Sequence, residues 1–128
     1  MMVRRVSFDV IDSTNAEAMR LAAEGERGPL WIVAARQSAG RGRQGRQWES
    51  GAGNLYATLL VSLAVPPDIA AQTSFVAALA VFDVAAGVLA EPGKLALKWP
   101  NDVLLNGAKL SGILIETVAQ DQGQTTVA

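Results

Sequence analysis

The chain has 128 residues, a formal net charge of −1, and neither cysteine nor histidine. The missing side chains exclude disulfides, cysteine nucleophiles, zinc sites built from thiolates or imidazoles, and serine–histidine triads. Half of the residues are hydrophobic, so one folded domain with a buried core is expected. The near-zero charge gives no general reason to expect nucleic acid or an anionic membrane as a partner.

The first part of the chain predicts a strand, a helix and two further strands. Residues 4–10 alternate in polarity, which indicates a strand. Residues 12–15 are N-cap types, and Thr14 and Glu17 have capping-box spacing, so a helix is expected to end at Gly25. The further strands are expected at residues 30–35, short and buried, and at residues 54–65.

Residues 37–53 are rich in glycine and arginine and lack apolar periodicity, which predicts a long loop. From Gly40 to Trp48 the loop has the sequence Gly-Arg-Gly-Arg-Gln-Gly-Arg-Gln-Trp. The glycine spacing matches a dinucleotide fingerprint, but that fingerprint requires a helix to begin at the glycines, and residues 48–51 do not begin one. A P-loop is excluded as well, because no Gly-Lys-Ser/Thr follows.

The loop carries residues suited to an anionic ligand. Glycines let the backbone approach a ligand closely, and Arg41, Arg43 and Arg46 can donate bidentate hydrogen bonds to carboxylate or phosphate oxygens. Such a loop could fold over a nucleotide and neutralise charge at a reacting phosphorus. Two alternatives stay open on the loop alone: a solvated, mobile basic loop, and a single-stranded nucleic-acid segment in which Trp48 stacks on bases. The near-neutral charge argues against the second.

After residue 65 the sequence predicts a central helix. Pro66 and Pro67 end the preceding strand, Asp68 is the expected N-cap, and residues 69–89 are apolar nearly all round, as in a buried helix. The longest apolar stretch, residues 75–90, contains Asp83 and is shorter than the ~20 residues that a membrane span needs.

The last part of the chain predicts short strands. They are expected at residues 95–99, 103–105 and 109–118, with a hairpin turn at Asn106-Gly107. Residues 124–128 resemble the start of a further strand that then stops, so that either the sequence is a fragment or the edge strand is unusually short. The order of elements indicates an α+β domain with a mixed or mostly antiparallel sheet.

A second polar cluster surrounds this hairpin. The segment Lys98-Trp99-Pro100-Asn101-Asp102 lies at a strand end, and a turn at Asn106-Gly107 would bring Lys109 back toward Asn101 and Asp102. Taken separately, Asp102 is explained as an ordinary turn residue and Lys109 as an exposed strand residue. Their combination with the arginine–glycine loop favours a site.

At these positions the sequence closely resembles the biotin protein ligase family. That family carries a Gly-Arg-Gly-Arg-x-Gly-Arg-x-Trp loop, a Lys-Trp-Pro-Asn-Asp segment and a Lys-x-x-Gly-Ile-Leu strand, and all three occur here in that order. Ser13-Thr14-Asn15 precedes the first helix and Gln37 precedes the loop, as in the family. The resemblance spans residues 8–116.

The resemblance implies an α+β fold with a mixed, mostly antiparallel central sheet flanked by helices, related to the class II aminoacyl-tRNA synthetases. It also implies a two-step reaction. The biotin carboxylate attacks the α-phosphorus of ATP and releases pyrophosphate, and a lysine of a biotin carboxyl carrier protein then attacks the biotinyl-adenylate and releases AMP. Magnesium is carried by ATP, and no metal site on the protein is implied.

Residue roles follow from the same resemblance. The implied catalytic residues are Lys109, Arg43 and Asp102. The implied biotin-binding residues are Ser13, Thr14, Asn15, Gln37, Gly40, Arg41, Gly42, Arg43, Lys109 and Gly112. The implied ATP-binding residues are Arg41, Arg43, Arg46, Trp48, Lys98 and Asn101. Within these sets, Lys109 reaches the biotin carboxylate and α-phosphate, and Asp102 helps to deprotonate the incoming lysine.

Family members continue past this point with further strands and usually a small C-terminal barrel-like domain. We therefore expect residues 1–128 to be a single, C-terminally truncated catalytic domain, with no DNA-binding segment before it and no repressor function. The expected location is the cytoplasm, with biotin, ATP and the carrier protein as partners, neither DNA nor a membrane, and a homodimer left open. Two alternatives are a truncated, non-catalytic biotin-binding or carrier-interacting module and a lipoate-type ligase; the latter is expected to lack the arginine–glycine loop.

Overall fold

The computed structural model describes residues 2–128 and divides them into two compact units. The larger unit comprises the residues up to Ala71 together with Glu116–Ala128, and the smaller unit is Gln72–Ile115. In chain order, the elements are β1 (Arg4–Ile11), α1 (Thr14–Ala23), β2 (Leu30–Arg41), β3 (Gln47–Ser50), β4 (Tyr56–Leu63), α2 (Pro67–Ala70), α3 (Thr73–Val88), β5 (Leu95–Lys98), β6 (Asp102–Leu105), β7 (Ala108–Gly112), β8 (Thr117–Asp121) and β9 (Gln124–Val127).

The larger unit is built on a six-stranded mixed sheet. Its order is β1-β2-β4-β9-β8, and β3 also pairs with β2. The β1–β2 pair is parallel and the other pairs are antiparallel, which confirms the predicted α+β class with a mostly antiparallel sheet. The strand predicted from Gln124 is confirmed as β9, but the alternative of a short edge strand is wrong, because β9 pairs with β4 on one side and with β8 on the other.

Helix α1 packs on this sheet and supplies small residues to the core. Ala18 and Ala22 are buried with Leu30 and Ile32 of β2 and Leu60 of β4. Residues 30–34 of β2 alternate between buried and more exposed positions, as expected for a strand with one covered face. The predicted end of α1 is confirmed, since Glu24 is the C-cap and Gly25 follows with φ 100°.

The N-cap of α1 lies one residue before the position that the capping-box spacing predicted. Ser13, rather than Thr14, is the N-cap residue, and its hydroxyl accepts a hydrogen bond from the Ala16 N–H at 3.3 Å. The capping-box spacing therefore identified the helix start one residue late. The Thr14 hydroxyl takes part instead in the polar cluster described below.

The predicted long loop at residues 37–53 is wrong in part, because most of it is a β-hairpin. Strand β2 continues to Arg41, a 3-10 turn follows at Arg43–Gly45, and β3 returns antiparallel with Gly40 opposite Trp48. Backbone hydrogen bonds hold this hairpin while its side chains are mostly exposed, so it has no apolar alternation for a sequence pattern to detect.

The predicted single helix at residues 69–89 is interrupted. Helix α2 ends at Ala70 and α3 begins at Thr73, and the intervening ψ angles of −23° and −10° depart from the α-helical value. Pro66 is the N-cap of α2, whereas the predicted N-cap residue Asp68 lies in the first turn. The negative charge of Asp68 is favourable there, since it lies near the positive end of the helix dipole.

Helix α3 is less buried than predicted. Within Thr73–Val88, Ala78 and Ala85 are buried, whereas Val76 and Val88 are 66% and 80% exposed. The expectation of a central helix buried on all sides is therefore wrong. The helix contributes one face to the core of the smaller unit, which it shares with Val103 and other apolar residues.

Of the residues that the structure describes, one helical segment, Pro67–Val88, is long and apolar enough by length and composition to cross a membrane. Its 22 residues exceed the stretch of residues 75–90 considered in the sequence. Core helices of water-soluble proteins satisfy the same criterion, so the segment is weak evidence for a membrane span.

The smaller unit also contains an antiparallel sheet of order β5-β6-β7. The predicted hairpin turn is confirmed: Asn106 and Gly107 have φ angles of 53° and 79°, as a type I′ turn requires. The predicted single strand over residues 109–118 is wrong, because β7 ends at Gly112. Beyond it, Ile113 leaves the strand and exchanges hydrogen bonds with Asn101.

Candidate active site

A cluster of buried polar side chains lies between α1 and the strands of the larger unit. Ser13, Thr14, Ser50 and Thr58 are each less than 10% exposed. Burying hydroxyl groups is unfavourable unless they are hydrogen-bonded, and within residues 2–128 no buried side-chain nitrogen or oxygen lacks a partner. We call these four residues, together with Asn15 and Gln37, the polar cluster.

Gln37 connects the start of α1 to the β2–β3 hairpin. Its Oε1 accepts hydrogen bonds from the Thr14 backbone N–H at 2.8 Å and the Thr14 hydroxyl at 3.2 Å. Its Nε2 donates to the Ser50 hydroxyl at 3.0 Å, which in turn donates to the Trp48 carbonyl at 3.1 Å. The amide thus fixes both the helix start and the returning strand of the hairpin.

Thr58 extends the polar cluster from β4. Its Oγ1 lies 2.8 Å from the Thr14 Oγ1, and its hydroxyl also donates to the Asn15 Oδ1. The Asn15 Nδ2 donates to the Glu116 carboxylate at 3.1 Å. The polar cluster is therefore a chain of neutral donors and acceptors that ends at the Glu116 carboxylate.

Arg41 meets this carboxylate from the end of β2. Its Nη2 donates to both oxygens of Glu116, and its Nη1 lies 3.8 Å from the sulfur of Met19. The side chains of Arg41 and Glu116 are 38% and 23% exposed, so the ion pair lies at the boundary between solvent and the polar cluster. The structure thus joins four predicted site residues, namely Thr14, Asn15, Gln37 and Arg41, in one hydrogen-bonded network.

The tip of the hairpin is a tight turn that carries several of the other predicted loop residues. The Gly42 N–H donates to the Arg46 carbonyl at 2.7 Å, and the Arg46 N–H donates to the Arg43 carbonyl at 3.2 Å. These bonds close a tight turn in which the side chains of Arg43, Arg46 and Trp48 are exposed. The turn presents two guanidinium groups and an indole on the surface of the larger unit.

Gly40 lies opposite Trp48 in the β2–β3 pair, with little space for a side chain. A Cβ atom at this position would collide with the Ser50 hydroxyl and the Trp48 carbonyl, and would lie 3.1 Å from the Gln37 Nε2. Glycine is therefore required because of space rather than of an unusual φ angle. The requirement links the predicted glycine directly to the polar cluster.

The smaller unit contains the other predicted residues. Lys109 Nζ lies 3.0 Å from Asp102 Oδ1, and these side chains are 41% and 17% exposed. The Asn101 Nδ2 donates to the Ile113 carbonyl at 2.5 Å. Gly112 lies opposite Asp102 in the β6–β7 register, while Lys98 is exposed at the end of β5. The predicted return of Lys109 toward Asp102 is confirmed.

Sequence reasoning missed three residues of the network: Ser50, Thr58 and Glu116. None belongs to a motif by itself, and each is joined to its partners by the fold. Thr58 meets Thr14 across 44 positions of the sequence and Glu116 meets Asn15 across 101. Glu116 follows the Lys-x-x-Gly-Ile-Leu motif almost directly, which was the available signal.

Among residues 2–128, no group of three acidic side chains is placed to hold a metal ion. The described sites are instead suited to hydrogen bonding of a neutral polar group in the polar cluster and to binding of anions by Arg41, Arg43 and Arg46.

Comparison with known proteins agrees with this arrangement. The sequence model of the biotin/lipoate A/B protein ligase family matches residues 7–127. The chain belongs to this family. The matched range includes the β2–β3 hairpin, the polar cluster and the Asp102–Lys109 pair.

Individual members of the biotin/lipoate ligase family show the same likeness. A biotin–[acetyl-CoA-carboxylase] ligase of Paracoccus denitrificans is 50% identical over 117 residues, which cover 91% of this chain and 48% of that protein. The biotin protein ligase of Leishmania major in complex with biotinyl-5-AMP has a TM-score of 0.79 at 28% identity, covering 99% of this chain and 56% of that one. The Aquifex aeolicus biotin protein ligase in complex with biotin and ATP has a TM-score of 0.73 at 31% identity, with coverages of 97% and 50%. The chain thus spans about half the length of these relatives.

Proposed function

We propose that this chain carries the machinery that activates biotin with ATP to biotinyl-5′-adenylate and transfers biotin to a lysine of a biotin carboxyl carrier protein. The observation that carries the proposal is the network in which the neutral polar cluster ends at Arg41. Biotin has the matching chemistry, a ureido ring at one end and a carboxylate at the other. Similarity to relatives named as biotin ligases supports the same assignment.

The polar cluster is assigned to the ureido end of biotin. A ureido group offers one carbonyl acceptor and two N–H donors, and the hydroxyl and amide groups of Ser13, Thr14, Asn15 and Gln37 can satisfy both kinds. Because the cluster is already hydrogen-bonded internally, its side chains are held in place before a ligand arrives, which favours binding. Gly40 and Gly42 keep the hairpin backbone close to this site.

We assign the exposed side chains of the β2–β3 hairpin to binding of the anionic groups of biotin and ATP. Arg41, Arg43 and Arg46 would bind the biotin carboxylate and the phosphates of ATP, and Trp48 would pack against the nucleotide. Lys98 and Asn101 are proposed as further ATP contacts, and magnesium would arrive with the phosphates. Folding of the hairpin tip over the adenylate would protect this mixed anhydride from water.

Lys109 and Asp102 are assigned to catalysis, and Gly112 to the space that the ligand needs. In the first step a biotin carboxylate oxygen bonds to the α-phosphorus and pyrophosphate leaves, so negative charge accumulates where the Lys109 ammonium would stabilise it. In the second step the carrier lysine attacks the biotinyl carbonyl, AMP leaves, and Asp102 helps to take up the amine proton. No histidine is needed, because the biotin carboxylate is already ionised at neutral pH.

We further propose that residues 1–128 belong to a single catalytic domain acting in the cytoplasm. Its partners would be biotin, ATP and the carrier protein. A homodimer is compatible with this assignment.

The test is to incubate the folded chain with biotin, ATP and magnesium, and to detect biotinyl-adenylate by mass spectrometry, with circular dichroism as the folding control. Adenylate formation is the expected result, followed by biotinylation of an added carrier domain. Biotin binding without adenylate would favour the non-catalytic module instead. A folded chain that binds no biotin, or that prefers lipoate in a parallel reaction, would overturn the proposal.

A further inference from the structure

Glu116 holds two side chains that have different proposed roles. Its carboxylate accepts a hydrogen bond from the Asn15 amide of the polar cluster and also binds the Arg41 guanidinium. Its backbone is fixed as well, because its N–H and carbonyl both pair with Ala128 at 2.9 Å. The carboxylate therefore stands on an anchored backbone between the neutral and the charged parts of the site.

The carboxylate of Glu116 sets the orientation of the Asn15 side-chain amide. A carboxylate can only accept, so Asn15 must present its NH₂ group to Glu116 and its carbonyl oxygen to Thr58. The Thr58 hydroxyl lies within hydrogen-bond distance of both the Asn15 Oδ1 and the Thr14 hydroxyl, and the Thr14 hydroxyl donates to Gln37. The carboxylate thus decides which end of the Asn15 amide donates and which end accepts.

The Arg41 contact leaves donors available for a ligand. Glu116 binds the guanidinium through Nη2, and one Nη1–H is directed at the Met19 sulfur. The Nε–H and the second Nη1–H can therefore bind a carboxylate or phosphate oxygen while this ion pair persists. An arginine held at one nitrogen also loses less conformational freedom when the ligand binds.

We propose that Glu116 is a positioning residue, which orients Asn15 for a neutral polar head group and Arg41 for the anionic end of the same ligand. This inference rests on the proposed function for the identity of the ligand. In this assignment Glu116 acts through Asn15 and Arg41 rather than directly on the reacting atoms. It makes the site selective for molecules that combine a neutral polar head with an anion.

The test compares Glu116→Gln with Glu116→Ala, and uses Glu24→Gln as a matched control, because Glu24 is an exposed residue at the end of α1. Glutamine can still accept from Asn15 but has lost the charge that binds Arg41, whereas alanine has lost both contacts. Ligands are biotin, which is anionic, and biotin methyl ester, which is neutral. We expect Glu116→Gln to weaken biotin binding about tenfold, the size of one charge-assisted hydrogen bond, and ester binding less than about threefold. Glu116→Ala should weaken both, and Glu24→Gln neither.

A ligand-free measurement separates this inference from the proposed function. In ¹H–¹⁵N spectra, the Asn15 side-chain amide resonance should stay near its wild-type position in Glu116→Gln and move in Glu116→Ala, with thermal melting confirming that both variants fold. If the wild-type chain binds no biotin, the proposed function fails while this spectrum still decides the role of Glu116. An unmoved Asn15 resonance in Glu116→Ala, or tighter biotin binding in Glu116→Gln, would overturn the inference.

Discussion

The Lys109 ammonium lies 3.0 Å from the Asp102 carboxylate, across a hairpin whose turn is Asn106-Gly107. Lys109 is the more exposed of the two and can reach a ligand, while the more buried Asp102 carboxylate holds the lysine side chain in position. The pair therefore provides a positioned cation and, once a ligand anion engages the lysine, a carboxylate able to accept a proton.

Replacement of Lys109 by alanine should affect chemistry far more than binding. If Lys109 stabilises charge that develops at the α-phosphorus, Lys109→Ala should lower the rate of adenylate formation by about 100-fold or more, with a much smaller change in biotin affinity. Single-turnover kinetics and calorimetry measure the two quantities. Lys94→Ala is the matched control, since Lys94 forms an exposed ion pair with Glu91. Equal losses of rate and affinity in Lys109→Ala would contradict the catalytic role.

Replacement of Arg43 by glycine should loosen retention of the intermediate. Arg43 lies in the tight turn at the tip of the β2–β3 hairpin, and loss of its charge should let biotinyl-adenylate escape before transfer. We expect bystander lysines on an unrelated protein to become biotinylated, which streptavidin blotting detects. Arg5→Gly, a change at an exposed residue of β1, should leave transfer restricted to the carrier. Unchanged retention of the adenylate in Arg43→Gly would exclude the protective role.

A methyl group at Gly40 should destabilise the hairpin. The added carbon would collide with the Ser50 hydroxyl and the Trp48 carbonyl, so Gly40→Ala should lower the free energy of unfolding by about 1–3 kcal/mol and weaken biotin binding. Gly51→Ala provides the control, because a Cβ there would meet no atom within 4 Å. Urea unfolding of both variants measures the difference. Equal stabilities would show that β3 moves freely to make room.

Glu26 should make the larger unit sensitive to acid. Hydrogen bonds from the Arg4 guanidinium and then from the Gly28 and Arg27 N–H groups lower the pKa of Glu26 to about 2. The carboxylate in the unfolded chain has a pKa of about 4.3, so its stabilising effect is complete above that pH and is lost as the pH falls toward 2.

Glu26→Gln should therefore reduce stability at neutral pH by about 1 kcal/mol and flatten the dependence of stability on pH between about 4 and 2. Part of the pH dependence should remain in Glu26→Gln, because the Arg20 guanidinium also lowers the pKa of Asp12 to about 2. Urea unfolding across this pH range tests the expectation, and Glu24→Gln controls for the change in net charge. A variant with the wild-type slope would show that Glu26 contributes nothing to acid unfolding.

Much of the fold was predictable from local signals. Alternation identified β1, the Asn106-Gly107 pair identified the β6–β7 hairpin, and Gly25 marked the end of α1. Each signal depends on residues that are neighbours in the sequence. The β2–β3 hairpin was missed because its side chains are mostly exposed and show no apolar alternation. The position of β9 was missed because it depends on pairing with β4, which is distant in the sequence.

The residues of the candidate site also include some that local motifs predicted and others that only the fold brings together. Motifs located Thr14, Asn15, Gln37 and Arg41, while Thr58 and Glu116 became visible only through the network that joins them. A threonine on a strand and a glutamate after one are both common on protein surfaces, so their residue types alone indicate nothing about a site. The proposed roles of all these residues remain predictions.

The place of β9 between β4 and β8 has a consequence for how the chain folds. Leu63 pairs with Thr125, and the whole smaller unit, Gln72–Ile115, is inserted between the two strands. The β4–β9 strand pair therefore joins residues that are far apart in the sequence, which gives the sheet a high contact order. This pair can form only when the intervening chain closes into a loop, which slows folding. The entropy of closing such a loop grows only logarithmically, by about 0.6 kcal/mol for each doubling of its length. The inserted segment can therefore lengthen or shorten at little thermodynamic cost to the sheet that carries the polar cluster.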